Sequence, residues 1–512
     1  MTVVHVGVGP VSFDEVLAVA RSGAAVELTP DAVTAIERAR KAVEDLAAAP
    51  TPAYGISTGF GALATRHIPR EQRAQLQRSL IRSHAAGSGP EVEREVVRAL
   101  MLLRLSTLAT GHTGIRLETA RAMAAMLTHG ITPVVREYGS LGCSGDLAPL
   151  AHCALALIGE GEVRDASGTL VPAADALRAA GIEPVELEAK EGLALINGTD
   201  GMLGMLVMAI ADLGTVLRTA DVAAAMSVEA QLATDRVFAA DLQALRPHPG
   251  QAASAENLRR ILADSGVVAS HRGPDCNRVQ DAYSLRCSPQ VHGAARDTVA
   301  HAATVAAREL ASAVDNPVVL DDGRVESNGN FHGAPIAYVL DFLAIAAADV
   351  ASISERRTDR FLDKARSHGL PPFLADDPGV DSGHMIAQYT QAAIVSELKR
   401  LAVPASVDSI PSSAMQEDHV SMGWSAARKL RRSVDGLTRV VAIETLTAAR
   451  ALDLRAPLEP SPATSAVLAL LRRTVPGPGP DRHLSPEIEQ AVDLVRTGAV
   501  LAAVENTIGE LS

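Results

Sequence analysis

Long apolar stretches dominate the C-terminal two-thirds of the chain. Their apolar residues recur at mixed three- and four-residue spacing, which is the period of an α-helix. Segments that are this long and this apolar fit the interior of a helical bundle. The pattern therefore predicts four long helices, at residues 199–234, 291–314, 335–364 and 435–452.

One more helix is predicted near the C-terminal end. Residues 475–480 read Val-Pro-Gly-Pro-Gly-Pro, a composition that is typical of a linker. After it, Ser485 offers an N-cap, Pro486 suits the first turn, and Glu487 places an acid near the positive helix end. We expect this helix to run to about the terminus.

The segments between the helical patterns are rich in glycine and polar residues. They are residues 51–61, 138–149 and 328–333. Rigid helices that hold such loops at their ends are a common way of building a site. The predicted fold is mostly α. An N-terminal domain at residues 1–197 carries the second of these glycine-rich loops, and a long-helix bundle at residues 198–512 includes the C-terminal helices.

Composition narrows the class of partner. Hydrophobic residues make up 47% of the 512 positions and charged residues 21%, as in a globular protein with a large core. Aromatic residues are only 3%, so the core must be aliphatic. The net charge of -13 repels phosphate backbones, and this excludes nucleic acid as the expected partner.

The sequence does not predict secretion or a membrane span. The first 13 residues lack the basic and apolar regions of a signal peptide. The apolar stretch 202–217 is interrupted by Asp212, and we expect no window with the length and purity of a membrane helix. The cysteines are too few and too scattered for a disulfide framework, so we expect a cytoplasmic protein in a reducing compartment. They are Cys143, Cys153, Cys276 and Cys287.

The glycine-rich loop around position 144 carries the strongest candidate chemistry. Glycines at positions 139, 142 and 145 permit backbone angles that other residues avoid, so the loop can form a tight turn. The residues alone allow a turn that caps the next helix with Asp146. They also allow a serine or cysteine nucleophile, which needs a neighbouring base. A zinc site is disfavoured, because Cys143 and Cys153 are ten residues apart and no paired CxxC is present.

The stretch from Gly139 to His152 resembles the signature of the aromatic amino acid ammonia-lyase family, and most closely its histidine branch. The resemblance implies that Cys143, Ser144 and Gly145 cyclise into a 4-methylidene-imidazol-5-one. The Gly145 nitrogen joins the Cys143 carbonyl, and Ser144 loses water to become a 2,3-didehydroalanine. The residue types suit this, since glycine allows the close approach and serine has a hydroxyl to lose. The Cys143 thiol, which stands where many members have alanine, is expected to pack passively.

Two further blocks match the family before residue 100. Tyr54 opens a glycine-rich loop and by itself indicates a turn anchored by a packed aromatic ring. By resemblance it is the candidate base or proton relay at the substrate β-carbon, which requires a lowered pKa. His84 follows Ser83, and a lone histidine is usually structural. The Ser-His pair matches the histidine branch and makes His84 the candidate contact of the substrate imidazole.

The central blocks supply polar groups. Asn197 precedes a long helix and reads as a helix cap, while the resemblance places it beside the ring, polarising it by hydrogen bonding. Gln280, Tyr283 and Arg286 would share one face of a helix, which alone is a polar face. By resemblance, Arg286 clamps the substrate carboxylate, a task that suits a guanidinium. Tyr283 would hydrogen-bond near the ring or the substrate, and Gln280 would help to orient them.

The last two blocks complete the predicted pocket. Phe331, in a Gly-Asn-Phe-His-Gly segment, would stack near the electrophile. Glu417 lies in a charged run, which is normally a solvated face. The resemblance places Glu417 in the pocket, where the histidine branch has a glutamate and phenylalanine lyases have a neutral amide. A carboxylate facing an imidazole is sensible, because a buried cation or N–H donor needs an acceptor.

Together these blocks imply non-oxidative deamination of L-histidine to urocanate and ammonia, the first step of histidine degradation. The ring is self-made, so the resemblance implies no metal and no dissociable cofactor. Family members are generally homotetramers with shared active sites. Three alternatives stay open: a related lyase or 2,3-aminomutase acting on phenylalanine or tyrosine, an inactive helical scaffold, and a metal-dependent hydrolase. The absence of HExxH or paired ligand spacing disfavours the hydrolase.

Overall fold

The computed structural model describes residues 2–49, 55–59, 65–273, 276 and 279–512. Most of the described chain is helical, which confirms the predicted fold class. The α-helices of the described residues are α1 (Phe13–Arg21), α2 (Pro30–Ala48), α3 (Arg73–His84), α4 (Arg94–Ala109), α5 (Leu117–Thr128), α6 (Leu147–Leu157), α7 (Ala173–Ala179), α8 (Glu191–Ile196), α9 (Asp200–Ala230), α10 (Ala240–Ala244), α11 (Pro249–Ile261), α12 (Gly266–Ala269), α13 (Tyr283–Arg286), α14 (Ser288–Leu310), α15 (Ala334–Leu362), α16 (Met385–Leu401), α17 (Gly423–Asp453), α18 (Pro462–Leu471), α19 (Ser485–Arg496) and α20 (Ala499–Ile508).

The strands are short and form small ribbons. β1 pairs with β2 in parallel, and the antiparallel sets are β3 with β5, β4 with β6 and β7, and β8 with β9. Ribbons of this size cannot build a core of their own, so they serve as connections between helices. The strands are β1 (Val3–Val6), β2 (Ala25–Leu28), β3 (Ser88–Glu91), β4 (Thr132–Pro133), β5 (Arg136–Tyr138), β6 (Glu162–Arg164), β7 (Leu170–Pro172), β8 (Val318–Val319) and β9 (Val325–Glu326).

The chain divides into two compact units, each built from separate stretches. Unit 1 comprises Met1–Met208, Ala303–Asp341 and Pro404–Arg428, and unit 2 comprises the remaining residues. Within unit 1, α1 packs on α4, and α6 packs on both α3 and α8. Within unit 2, α18 packs on α20. The boundary predicted between residues 197 and 198 stays a prediction.

The four long helices predicted from apolar spacing are all present. α9, α14 and α15 begin within three residues of their predicted starts. α17 begins twelve residues earlier than predicted, at Gly423, because its first turns contain a cluster of lysine and arginine that obscures the apolar period. Most of the buried apolar side chains of these helices are aliphatic, as the low aromatic content required.

The C-terminal helix is not continuous as predicted. It consists of α19 and α20, separated at Gly498, whose φ is +74°. A residue in this left-handed region cannot continue a right-handed helix. Ser485 is the first residue of α19 rather than its cap, and Pro486 lies in the first turn as expected.

Two helices contain stretches that are more apolar than expected. By length and composition alone, α9 and α15 could each cross a membrane, so the expectation that no window would pass this test was wrong. In their most apolar stretches 72% and 61% of the residues are buried inside the protein, a property that the core helices of globular proteins share.

Candidate active site

The predicted reactive tripeptide occupies a tight turn between β5 and α6. Gly142, Ser144 and Gly145 have φ values of +77°, +51° and +81°, all in the left-handed region. A non-glycine residue such as Ser144 adopts this conformation rarely, and such strain clusters at functional sites. Gly142 and Gly145 face each other in an isolated antiparallel bridge, so the residue before the tripeptide lies close to its last residue.

Two neighbouring segments hold the turn from either side. The Asp146 N–H donates to the Gly198 carbonyl at 2.7 Å, and the Met422 N–H donates to the Leu141 carbonyl at 3.1 Å. A Cβ atom on Gly145 would lie 2.0 Å from the Gly198 oxygen, which no side chain can tolerate. Only glycine fits at position 145, and this agrees with a backbone nitrogen that must approach a carbonyl carbon.

Asp146 lies at the start of α6 but does not cap it. Its carboxylate instead accepts from the Met202 N–H at 2.9 Å, near the N-terminus of α9, and from the Ser140 hydroxyl at 3.0 Å. Burial raises the pKa of Asp146 to about 7, against the hydrogen bonds from Met202 and Ser140. The capping interpretation was therefore wrong for α6, since the side chain ties the reactive turn to a different helix.

Asn197 lies at the C-terminal end of α8 and is almost fully buried. Its side-chain amide nitrogen donates to the Asn316 carbonyl at 2.8 Å and faces Asp315 Oδ1 at 3.4 Å. Its Oδ1 atom is buried without a hydrogen-bond partner. A buried unpaired acceptor is costly in a native protein, and so it indicates a place for a ligand or a reacting group.

Two adjoining cavities of about 430 and 470 Å³ meet at the reactive turn. Both are lined by Ser144, Asn316 and Glu417. The first also contains His84 and Asn197, and the second contains Cys143 and Phe331. Unit 1 therefore brings together six of the predicted site residues, which are His84, Cys143, Ser144, Asn197, Phe331 and Glu417.

The ring of His84 is held in one tautomer. Its Nδ1 atom lies 2.9 Å from the Leu80 carbonyl oxygen, and a carbonyl can only accept, so Nδ1 carries the proton. Burial lowers the pKa of His84, while the Leu80 hydrogen bond and the charge of Glu417 oppose the shift. The imidazole is therefore neutral at pH 7, and its Nε2 lone pair remains available as an acceptor.

Glu417 is anchored through its neighbour Ser412. The Ser412 hydroxyl donates to Glu417 Oε2 at 2.9 Å, and the two backbones exchange hydrogen bonds. Burial and the carboxylate of Glu417 raise the pKa of the Cys143 thiol to about 11. Cys143 is therefore a neutral donor at pH 7, and it lacks the thiolate that a cysteine nucleophile requires.

Gln280, Tyr283 and Arg286 belong to unit 2 and do not line either cavity at Ser144. α13 begins at Tyr283, so Gln280 precedes the helix and does not share its face as predicted. Tyr283 is 72% exposed, and the Arg286 guanidinium lies over its ring at 4.6 Å. Arg286 Nε is buried without a partner. The roles of these three residues stay predictions.

Tyr54 lies outside the described residues. Among the residues that the structure does describe, no group of three or more histidine, cysteine or acidic side chains has the arrangement of a metal site. The four cysteines are all free.

The sequence motifs did not predict two charged residues that lie beside Asn197. Lys190 and Asp315 form an ion pair at 2.6 Å, and both side chains are 0% exposed. They are 125 positions apart, and neither lies in a motif. The only hint was a lysine directly before an apolar helix, where α8 is buried along its whole length.

Comparison with known proteins relates this site to one family. A family model described as aromatic amino acid lyase matches residues 11–473. Histidine ammonia-lyase from Streptomyces avermitilis is 67% identical over 513 residues, covering 100% of both chains. The crystal structure of histidine ammonia-lyase from Trypanosoma cruzi matches with a TM-score of 0.91 at 39% identity, covering 99% of this chain and 96% of that one. Tyrosine aminomutase from Streptomyces globisporus matches with a TM-score of 0.94 at 38% identity, covering 99% of this chain and 100% of that one.

These likenesses span nearly the whole chain in sequence and in structure. They confirm the family that the separate motifs indicated: the chain belongs to the aromatic amino acid lyase family.

Proposed function

We propose that this protein eliminates ammonia from L-histidine, giving urocanate, and that it acts in the cytoplasm. The observation that carries the proposal is the cavity at Ser144, where His84 and Glu417 offer two acceptors to an imidazole. Relatives that are 66% and 67% identical over their full length bear the name histidine ammonia-lyase, and this supports the choice of substrate. Four free cysteines agree with a reducing compartment.

Recognition of the imidazole follows from the two acceptors. Neutral His84 presents Nε2, because Leu80 holds the proton on Nδ1. Glu417 presents a carboxylate that Ser412 orients. A substrate imidazole has one N–H donor when it is neutral and two when it is protonated, and these can pair with the acceptors. A phenyl ring has none and would leave the Glu417 carboxylate without a donor from the substrate. The pocket should therefore discriminate against phenylalanine.

The turn at Cys143–Gly145 suits the 4-methylidene-imidazol-5-one of the family. The left-handed φ of Ser144 and the Gly142–Gly145 bridge shorten the turn, and the Gly198 carbonyl leaves no room for a Cβ at position 145. When formed, the ring supplies an electrophilic carbon that makes the substrate amine a better leaving group. Asn197 offers an unpaired acceptor within the same cavity lining. Phe331 lines the adjoining cavity beside Cys143.

The remaining predicted groups keep the roles that the resemblance implies. We assign the substrate carboxylate to Arg286, with Tyr283 and Gln280 beside it, and the β-proton to Tyr54. Three exposed apolar side chains follow one face of α15, at Tyr338, Phe342 and Ile345, with exposures between 46% and 49%. Such a stripe suits burial between subunits. The stripe supports a homotetramer with shared active sites. The proposed reaction requires no metal, nucleic acid or membrane partner.

Ser144→Ala is the direct test. Purified wild-type protein should release urocanate from L-histidine, followed by absorbance, and its intact mass should be two waters below that of the encoded chain. Ser144→Ala should lose turnover by at least about 10³-fold and keep both waters. Ser167→Ala, in an exposed turn, is the matched control and should behave as wild type. A wild-type chain of unmodified mass that still degrades histidine would contradict the proposal.

A second candidate is a 2,3-aminomutase. The observation that favours it is the match to tyrosine aminomutase from Streptomyces globisporus over the full chain. Identity to that enzyme is 38%, against 67% to the histidine ammonia-lyase of Streptomyces avermitilis. Incubation with tyrosine, phenylalanine or histidine, followed by chromatography for β-amino acids, separates the two. Accumulation of a β-amino acid in place of an acrylate product would favour the mutase.

A further inference from the structure

Behind the reactive turn lies a buried ion pair that no predicted role uses. Lys190 Nζ is 2.6 Å from Asp315 Oδ2, and water reaches neither side chain. Burial lowers the pKa of Lys190, while the charge and hydrogen bond of Asp315 oppose the shift. Removing two charges from water costs several kcal/mol per ion in general, so a pair of this kind is weak evidence of stabilisation alone. The position of this pair beside Asn197 is more informative than its contribution to stability.

The pair is connected directly to Asn197. Lys190 Nζ donates to Oδ2 of Asp315. The other oxygen, Oδ1, accepts from the Asn316 N–H at 2.7 Å. The same Oδ1 lies 3.4 Å from the amide nitrogen of Asn197, which also donates to the Asn316 carbonyl at 2.8 Å. If the amide were rotated by half a turn, its oxygen would face a carboxylate and a carbonyl. Three acceptors would then meet without a proton between them.

The orientation of the amide therefore determines what Asn197 offers to the cavity. With its nitrogen turned to Asp315 and Asn316, the carbonyl oxygen Oδ1 is left unpaired. Arg104 holds the backbone of the same residue, donating to the Asn197 carbonyl at 2.6 Å and to the Val314 carbonyl at 2.8 Å. Both the main chain and the side chain of Asn197 are thus held, and the free atom is an acceptor.

We propose that Lys190 and Asp315 are positioning residues that hold the Asn197 Oδ1 atom as the acceptor for the ammonium group of the amino-acid substrate. The inference rests on the proposed function and deepens it. A charged N–H donor is the partner that compensates a buried acceptor most strongly. Asn197 lines the same cavity as Ser144, where the amine must arrive. Asp315 orients the amide, and Lys190 holds the Asp315 carboxylate in place through its Oδ2 atom.

The test measures binding separately from turnover. In the Ser144→Ala chain, which cannot form the ring, calorimetry gives the affinity for L-histidine and for 3-(imidazol-4-yl)propionate, which has no amine. Lys190→Met combined with Asp315→Asn removes both charges, so neither is left buried and alone. This double change should weaken histidine binding at least about tenfold, as expected for a charge-assisted hydrogen bond. Binding of the propionate should change less than about twofold, within the range of additive effects.

The matched control is a second ion pair in unit 2, in which the fully buried Asp221 lies 2.6 Å from Arg296. Asp221→Asn with Arg296→Met should lower the melting temperature but leave both affinities unchanged. If the Ser144→Ala chain binds neither ligand, the same comparison uses KM for histidine and the inhibition constant of the propionate in the active enzyme. Equal losses for both ligands, or no loss for histidine, would overturn the inference. Failure of the unaltered protein to consume histidine would instead overturn the proposed function.

Discussion

Two buried polar networks in this protein have opposite character. In unit 2, the Glu444 carboxylate receives four donors: the Ser227 hydroxyl at 2.7 Å, the Ser354 hydroxyl at 2.6 Å, and two nitrogens of Arg357. Neither oxygen is left unpaired. In unit 1, the network of Lys190, Asp315 and Asn197 ends in an oxygen without a partner.

This difference distinguishes a polar network that stabilises the fold from one that can bind a ligand. A network in which every lone pair and proton is used contributes to a unique fold, and it offers nothing to a ligand. A network that leaves a buried acceptor without a donor carries a desolvation cost in the free protein, and a ligand with the matching donor removes that cost. The open network lies at the cavity of Ser144, whereas the closed one lies among the long helices.

We expect the largest effect on activity from a change at Gly145, in the turn that carries Ser144. Gly145→Ala places a Cβ 2.0 Å from the Gly198 oxygen at a φ of +81°, so the turn should open and the tripeptide should not cyclise. Turnover of histidine should fall by at least about 10³-fold, and the intact mass should retain both waters. Gly168→Ala is the matched control, because Gly168 has a φ of +85° with open space around it. That change should cost only stability.

Breaking the closed network should affect stability alone. Glu444→Ala leaves the Arg357 guanidinium buried without its carboxylate, and the free energy of unfolding should fall by about 3–5 kcal/mol. Turnover per folded chain should stay that of the unaltered protein. Thermal melting and active-site titration measure the two quantities. Glu326→Ala, which removes an exposed surface pair with Arg324, should leave both nearly unchanged. A selective loss of turnover at position 444 would erase the distinction between the networks.

Replacing the Glu417 carboxylate in the cavity at Ser144 should alter which substrate the protein prefers. Glu417→Gln replaces the carboxylate with an amide, and kcat/KM for histidine should fall about 10- to 100-fold, the range of a lost hydrogen bond to a charged group. The relative rate with phenylalanine should rise. Steady-state kinetics with both amino acids, alongside Glu326→Gln as an exposed control, measures the change. An unchanged preference for histidine over phenylalanine would show that Glu417 does not recognise the imidazole.

The pH dependence tests the neutral state of His84. Burial lowers the pKa of His84 from 6.5, so the ring is neutral above that pKa and becomes a cation as the pH falls through it. Protonation turns Nε2 from an acceptor into a donor, and kcat/KM should then fall by up to about tenfold per pH unit on the acid side. The substrate imidazole titrates near 6.5 as well, so His84→Gln is the comparison. An acid limb that is identical in both proteins would contradict the assignment.

The smallest effect is expected at Cys143. Its thiol is protonated at pH 7, because burial and the Glu417 carboxylate raise its pKa to about 11, so it adds one weak donor to the cavity lining. Cys143→Ala should change kcat/KM for histidine less than about fivefold and leave the mass loss of two waters intact. Cys287→Ala is a control for removal of a half-buried thiol elsewhere. A large loss would give the thiol a role that passive packing does not explain.

The long helices were predictable because apolar spacing is a local property of the sequence. Their boundaries were less so: the start of α17 is obscured by basic residues, and Gly498 divides the last helix. The six predicted residues at the two cavities, Ser144 among them, were named from motifs, since each motif preserves residue types that the chemistry needs. Sequence reasoning placed Gln280 on a helix that begins only at Tyr283. Three-residue spacing does not show where a helix starts.

By itself the sequence determined the helical class and the family, and it predicted which tripeptide is reactive. Each follows from composition, period or a contiguous motif. Only the tertiary structure decided which buried acceptor stays free. The contact between Lys190 and Asp315 joins positions 125 residues apart, and the orientation of the Asn197 amide depends on both. Such pairing leaves no local pattern, because hydrogen bonds between distant segments exist only after the chain has folded.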